Sequence, residues 1–215
     1  MQKDLGAYRK SYEKEALTEH TAPEDPMVLF QEWFRQTEEA KGVEEPNAMT
    51  LSTLGSDGFP KSRIVLLKAF SDEGFVFYTN YSSEKGMAIA NEPKVCLSFF
   101  WPNLERQVII KGTAEKVADT QSDSYFKSRP KGSQLGALVS DQSTVIPSRE
   151  YLENELEALE KTHLDGPVER PDFWGGYVVK PVSMEFWQGR PNRLHDRLRF
   201  RTGALGKWQR ERLAP

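Results

Sequence analysis

Apolar residues recur along this chain with two different periods. Near the N-terminus they fall at Val28, Leu29, Trp33, Phe34 and Ala40, the spacing of one helix face. Asp25-Pro26 supplies an N-cap followed by proline at the first helical position. The first 47 residues therefore read as helical, with the glutamates between the apolar positions on a solvated face. From Met49 the period drops to two. Residues 49–54 alternate, Ser56-Asp57-Gly58 turns the chain, and 62–69 continues as a strand. Ser71-Asp72-Glu73-Gly74 then turns into 75–80, which predicts two successive β-hairpins. A short helix is expected over 83–91, capped by Ser82 or Ser83 and stopped before Pro93. Residues 95–101 and 107–117 read as another strand pair. Helices follow at 120–128 and 148–162, then strands at 174–180, 184–188, 194–201 and 207–212. Short strands, tight turns and intervening helices predict a mainly β, α+β fold: an antiparallel barrel with peripheral helices. No repeat, low-complexity tract or linker divides it. One domain is expected at 21–215, behind a flexible charged segment at 1–20.

Composition narrows the class. Of 215 residues 38% are hydrophobic, and 24 are aromatic (5 Trp, 7 Tyr, 12 Phe). A chain of this size buries roughly 70% of the surface its unfolded form exposes, so it needs no covalent staple. The single cysteine, Cys96, excludes an intramolecular disulfide and a cysteine-based zinc site. Within the apolar run 95–100 it is expected to be a buried structural thiol. Residues 1–20 carry charge throughout and no apolar signal core, and no stretch approaches the ~20 apolar residues of a membrane helix. A cytoplasmic, reduced, soluble protein is expected, with the sequon Asn80-Tyr81-Ser82 unused.

The net charge of −3 hides an asymmetry. Residues 1–47 hold 11 acidic and 6 basic side chains; residues 189–215 hold 8 basic and 2 acidic. A basic end on a mildly acidic chain argues against a general nucleic-acid binder and favours a local anion site or a subunit contact. Several chemistries are absent. There is no G-x-G-x-x-G after a strand, no P-loop, no G-x-S-x-G elbow and no H-E-x-x-H helix. The three histidines are His20, His163 and His195, the first two in charged segments that read as surface. Chemistry here therefore points to a bound organic cofactor.

Three constellations remain. Arg63-Ile64-Val65-Leu66-Leu67-Lys68 sets cations at both ends of an apolar strand; either both ends reach solvent, or they bracket a phosphate-bearing ligand. Tyr125 and Arg129 are one helical turn apart with Ser133 beyond, a phosphate cradle or merely solvated helix residues. In an extended strand Arg193, His195, Arg197 and Arg199 share one face, opposite Leu194, Leu198 and Phe200. That face is a ligand site or a charged edge.

Glu185-Phe186-Trp187-Gln188, four residues, then Arg193-Leu194-His195-Asp196-Arg197 resembles the signature of the pyridoxine (pyridoxamine) 5′-phosphate oxidase family. The resemblance runs along nearly the whole chain: R-I-V-L-L-K from Arg63, F-Y-T-N from Phe77, L-E-R-Q-V from Leu104, S-R-P from Ser128, Gln142-Ser143, F-W-G-G from Phe173 and the terminal R-L-A-P. It implies an FMN-binding split β-barrel of Greek-key type, acting as a homodimer with shared active sites. It further implies oxidation of pyridoxine 5′-phosphate and pyridoxamine 5′-phosphate to pyridoxal 5′-phosphate, with dioxygen as acceptor and hydrogen peroxide released. For FMN, the resemblance implies Arg63, Ile64, Val65, Leu66, Lys68, Tyr78, Thr79, Lys85, Gln107, Gln142 and Ser143, with Trp187 and Arg197 from the other subunit. Lys68, Tyr125, Arg129 and Ser133 would take the substrate phosphate, and Arg193 and His195 the pyridine ring, the latter pair also handling protons. Glu84 departs from the basic residue the family more often has before the lysine, which implies a weaker grip on FMN. Residues 9–12 would fold over the substrate as a lid, or form a floppy tail. The competing readings are a non-catalytic flavin or pyridoxal-phosphate binder on the same barrel, and a small-barrel nucleic-acid module.

Overall fold

Asp25 starts the first regular element. Its carboxylate accepts the Met27 amide at 2.8 Å, and Pro26 opens α1 (Pro26–Glu39) with a nitrogen that has no hydrogen to leave unpaired. The computed structural model describes residues 3–8, 10–164, 166–203 and 206–215. Among the described residues up to Asn47 only α1 is helical, which corrects the expectation of helix throughout. The physical reason is that residues 13–22 spend their backbone groups on distant partners. The Leu17 amide donates to Asp196 at 3.1 Å, and Arg212 and Arg210 donate to the carbonyls of Leu17 and Ala22.

Among the described residues nine strands and four further α-helices follow: β1 (Ala48–Leu54), β2 (Pro60–Leu66), β3 (Ala69–Ser71), β4 (Gly74–Asn80), α2 (Glu84–Asn91), β5 (Lys94–Trp101), β6 (Arg106–Lys116), α3 (Asp119–Ser128), α4 (Lys131–Val139), α5 (Arg149–Thr162), β7 (Trp174–Gln188), β8 (Asp196–Thr202) and β9 (Trp208–Arg212). Backbone hydrogen bonding orders the strands β2-β1-β5-β6-β7-β4-β3, with β8 on β7 and β9 on β8. The antiparallel, α+β expectation holds. The first early hairpin is kept, β2 lying beside β1; the second is kept only as the short pair β3–β4, because the strand expected over 62–69 breaks after Leu66 and its two parts stand at opposite ends of the strand order.

Three local expectations fail. The strands foreseen at 174–180 and 184–188 are one strand, β7. Pro181 interrupts nothing because it falls between two ladders, β4 pairing as far as Val179 and β8 from Ser183. Helix α4 was not foreseen, since Gly132 and Gly136 are poor helix formers; Pro130 occupies its N-cap. Arg193 and His195 do not lie on an extended face. Pro191–Arg193 is a 3₁₀ turn with Asn192 and Arg193 at φ +56° and +61°, and β8 begins only at Asp196.

The chain forms two compact units. One comprises the residues up to Thr50, Leu97–Lys111 and Pro181–Pro215; the other comprises Leu51–Cys96 and Gly112–Lys180. The first is filled by aromatic side chains. Phe30 meets Phe99 edge-on at 5.2 Å, Trp33 meets Phe186 at 5.3 Å, and Phe186 meets Phe200 at 5.7 Å. The second gathers Phe126, Leu135, Val168 and Trp174, with Tyr78 and Tyr125 packed against them. Cys96 is half-buried rather than fully buried, because β5 alternates and turns that position away from the interior.

Close backbone approach in the second unit depends on glycine. A Cβ on Gly176 would lie 2.8 Å from the Tyr78 ring, and one on Gly86, in the first turn of α2, would lie 2.2 Å from the Tyr81 carbonyl oxygen. Ser83 caps that helix by accepting the Gly86 amide at 3.2 Å. Gly86→Ala should therefore destabilise the protein by about 1–3 kcal/mol, the range for forcing extra atoms into a packed site. The urea midpoint measures it, and an unshifted midpoint would contradict this account of the turn.

Candidate active site

In the second unit the end of β2, the strand β4, the N-terminal turn of α2 and the α3–α4 corner surround a cavity of about 570 Å³. Its walls include Ile64, Val65, Leu66, Lys68, Tyr78, Thr79, Lys85 and Gln142, and Tyr125, Arg129 and Ser133. No carboxylate is among the described lining residues. Tyr78, Tyr125 and Trp174 form a cluster of nearly parallel rings, with Tyr78 3.9 Å from Tyr125 and 5.5 Å from Trp174. The Arg63–Lys68 strand is less buried than its apolar sequence suggests: Ile64 is 66% exposed and only Leu67 is fully covered.

Two cations in this unit are poorly compensated. The Arg129 guanidinium lies 4.8 Å over the Trp174 ring, and its Nη1 is out of solvent with no hydrogen-bond partner. Burial pushes Arg129 below the ordinary arginine value, with Tyr125 opposing. Arg129 closes α3 in extended conformation, so it shares the cavity with Tyr125 through the corner at Pro130 and not through a helix face. Lys85 is half-buried. Burial lowers its pKa first, the neighbouring Arg63 lowers it further, and Glu84 opposes both. Its ammonium donates to two uncharged acceptors, Gln142 Oε1 and Ser83 Oγ. Glu84 itself is ion-paired with Lys61.

The first unit carries a separate open cleft of about 610 Å³, lined by Tyr8, Lys10, Ser11 and Tyr12 on one side and by Arg190, Asn192, Arg193 and His195 on the other. His195 is half-buried, and its Nδ1 accepts the Arg190 backbone amide at 3.0 Å. An acceptor at Nδ1 places the proton of the neutral ring on Nε2. Burial, then the Arg193 charge, lowers the His195 pKa and keeps that ring neutral. Tyr12 meets His195 edge-on at 5.7 Å, and Trp187 lies 4.7 Å from the same imidazole.

The sequence-derived site residues thus separate into two groups. Eleven line the cavity of the second unit, while Arg193 and His195 line the cleft of the first, beside Trp187. Arg63 does not line the cavity; its Nη1 donates to the Leu51 carbonyl at 3.2 Å and to Thr53 Oγ1 at 2.8 Å. Ser143 is exposed at φ +78° and is also outside it. In the first unit Gln107 donates to Ser98 Oγ, and Arg197 is held by Glu185 at 2.7 Å and by the Ala214 carbonyl. Arg9 of the foreseen lid lies outside the described residues. Asn80, Ser128, Pro130 and Trp174 line the cavity without having been foreseen. Each sits inside a motif already noted (F-Y-T-N, S-R-P, F-W-G-G), so the signal lay in those motifs.

Known proteins resemble this chain in both sequence and fold. A family model described as pyridoxamine 5′-phosphate oxidase matches residues 36–163, and one described as the pyridoxine 5′-phosphate oxidase C-terminal dimerisation region matches residues 174–215. A pyridoxine/pyridoxamine 5′-phosphate oxidase of Flavobacterium psychrophilum is 60% identical over 213 residues, covering 99% of this chain and 100% of that protein. Among solved structures, PhzG from Burkholderia lata in complex with tetrahydrophenazine-1-carboxylic acid superposes with a TM-score of 0.86 at 28% identity, over 94% of this chain and 98% of that one. A pyridoxamine 5′-phosphate oxidase-related, FMN binding protein from Nostoc punctiforme shares the fold, with a TM-score of 0.68 at 14% identity over 90% of this chain and 98% of that one. The split-barrel expectation is met. Full-length identity of this order, together with two family models that between them take in most of the sequence, means that the chain belongs to the pyridoxine/pyridoxamine 5′-phosphate oxidase family of enzymes.

Proposed function

We propose that the protein oxidises pyridoxine 5′-phosphate and pyridoxamine 5′-phosphate to pyridoxal 5′-phosphate, using FMN, with dioxygen as acceptor and hydrogen peroxide as co-product. The observation that carries this reading is a cavity lined by Lys68, Tyr125, Arg129 and Ser133 and, among the described residues, by no carboxylate, with the Arg129 nitrogen Nη1 buried and without a hydrogen-bond partner. A buried guanidinium donor without an acceptor costs free energy, and a phosphate monoester supplies the acceptor oxygens and the counter-charge together.

The donor set also fits FMN. Lys85 and Arg63 repel one another with only Glu84 to offset them, and Lys85 has neutral acceptors alone; a cofactor phosphate relieves that field. FMN, when bound, supplies acceptance of a hydride from the substrate carbon and transfer of the electrons to dioxygen. The chain's residues do the remainder. Arg129, Lys68, Tyr125 and Ser133 hold the substrate phosphate. Lys85, Thr79, Tyr78, Gln142 and the backbone of 64–66 hold the cofactor, and Arg63, Gln107 and Ser143 are the further cofactor residues that the family resemblance implies. Arg193 and His195 orient the pyridine ring, and Trp187 and Arg197 reach the cofactor from the second subunit of a homodimer. The family match to a dimerisation region at residues 174–215 supports that assignment. His195 enters as an Nε2–H donor, so a proton released by the substrate goes to water.

Three measurements bear on this. Arg129→Ala should raise KM for pyridoxine 5′-phosphate with little change in kcat, since phosphate is gripped alike in ground and transition states; a fall in kcat alone contradicts it. Arg193→Ala should lower kcat/KM by on the order of 10²-fold, the scale of losing a preorganised charged donor, and near wild-type turnover removes Arg193 from the site. Nitrogen-15 spectra of the three histidines, with His195→Gln as the assignment control, should show His195 as the Nε2–H tautomer titrating below the ordinary value of about 6.5. An Nδ1–H tautomer excludes the donor role.

A further inference from the structure

Glu105 is an acid in an unusual position. Its side chain is 3% exposed, and its backbone takes φ +58°, a conformation non-glycine residues adopt at a cost. The side chain has a full set of donors. Oε2 accepts the amides of Glu13 at 2.9 Å and Lys14 at 3.2 Å, and Oε1 pairs with the Lys10 ammonium at 3.1 Å. Lys14 also donates through Nζ to the Asn103 carbonyl, two residues before Glu105. The main chain of Glu105 binds a second segment: its carbonyl accepts the Gly189 amide at 2.7 Å and Gln188 Nε2 at 3.2 Å. These two segments are the ones that form the walls of the cleft holding Arg193 and His195.

We propose that Glu105 is a positioning residue for that cleft, its carboxylate fastening the wall 10–14 and its carbonyl fastening the wall that begins at Gly189. The strained backbone at 105 turns both groups of one residue outward to two different segments. Between the fastened points lies Tyr12, which packs on Trp187 at 5.7 Å and on His195 at 5.7 Å. Gly189 admits that ring, since a Cβ there would sit 2.7 Å from it. Arg190 adds a further stitch by donating to the Glu15 carbonyl at 3.0 Å. Burial alone raises the Glu105 pKa, but the Lys14 and Glu13 amides and the Lys10 ammonium outweigh it and hold the carboxyl below the usual range. The fastening is accordingly charged at neutral pH. Removing the charge weakens the acceptor that the two amides share and, in glutamine, sets an NH2 donor against the Lys10 ammonium, so the segment 10–14 is released while the aromatic interior of the unit is untouched.

Hydrogen exchange of the wild-type protein tests the fastening without any variant. The amides of Glu13 and Lys14 should exchange at least about tenfold more slowly than unstructured-chain amides; chain-like rates overturn the proposal. In Glu105→Gln, tryptic cleavage after Lys14 should accelerate by about tenfold or more, with the urea midpoint of the remaining protein little changed. Gly189→Ala, which drives a Cβ against Tyr12, should give the same accelerated cleavage. Cleavage at the wild-type rate in both variants overturns the proposal, as does acceleration spread over all tryptic sites. The kinetic arm rests on the oxidase reading above: Glu105→Gln should raise KM for pyridoxine 5′-phosphate by about tenfold while kcat and the Kd for FMN are retained. An unchanged KM despite accelerated cleavage refutes the positioning role. A wild-type protein inactive on that substrate, with Glu13 and Lys14 protected, instead refutes the oxidase reading.

Discussion

A charge removed from water must find an opposite charge or a complete set of hydrogen bonds, and this chain is organised by how each buried ion meets that demand. Arg170, 9% exposed, meets it with Asp119 and Asp123 and with the Trp174 carbonyl. It thereby ties the start of β7 to α3. Arg106 lies over the Trp33 ring at 4.5 Å and donates to Gln188 and Gln36, joining β6 to α1 and to the end of β7. Glu105 binds Lys10 and two backbone amides. These satisfied ions are structural. Arg129 is the contrast, with aromatic faces beneath it and an unpartnered nitrogen. The same rule that fixes the scaffold thus also marks where a ligand belongs, because among the described residues the buried side-chain nitrogen left without a partner belongs to Arg129, which lines the cavity.

Aromatic stacking complements this rule. Tyr125, Tyr78 and Trp174 make a layered wall whose spacing depends on Gly176, and that wall carries the Arg129 guanidinium at its margin. Stacked rings hold a cation without neutralising it. Arg129 is therefore fixed in place and still fully charged, a combination that a carboxylate partner such as those of Arg170 cannot provide.

Much of this was legible in the sequence where information is local. Period-two alternation located the hairpins, and Asp25-Pro26 and Ser83 marked helix starts that the structure keeps. Tyr125, Arg129 and Ser133 could be grouped because they lie within nine residues of one another. What was not legible depends on distant partners. The strand β7 read as two, 174–180 and 184–188, because its ladders with β4 and with β8, on either side of Pro181, are set by distant partners. Arg193 and His195 looked extended because alternation cannot reveal two left-handed residues in the turn before β8. Glu105 stood inside a recognised motif, yet its partners lie 91 and 92 residues away, and no local pattern encodes that.

The stitching of residues 13–22 to β8 and β9 also bears on how the polypeptide comes together during synthesis. Leu17 and Glu19 depend on Asp196 and Arg212, across sequence separations of 179 to 195 residues. A growing chain must therefore carry these early residues through translation without their partners, and the first-made segment is among the last to settle. Domains that defer long-range contacts in this way fold slowly relative to those built from local ones. The charged, helix-poor character of that segment suits the wait: with three glutamates and one lysine among ten residues, it stays hydrated until Arg212 emerges.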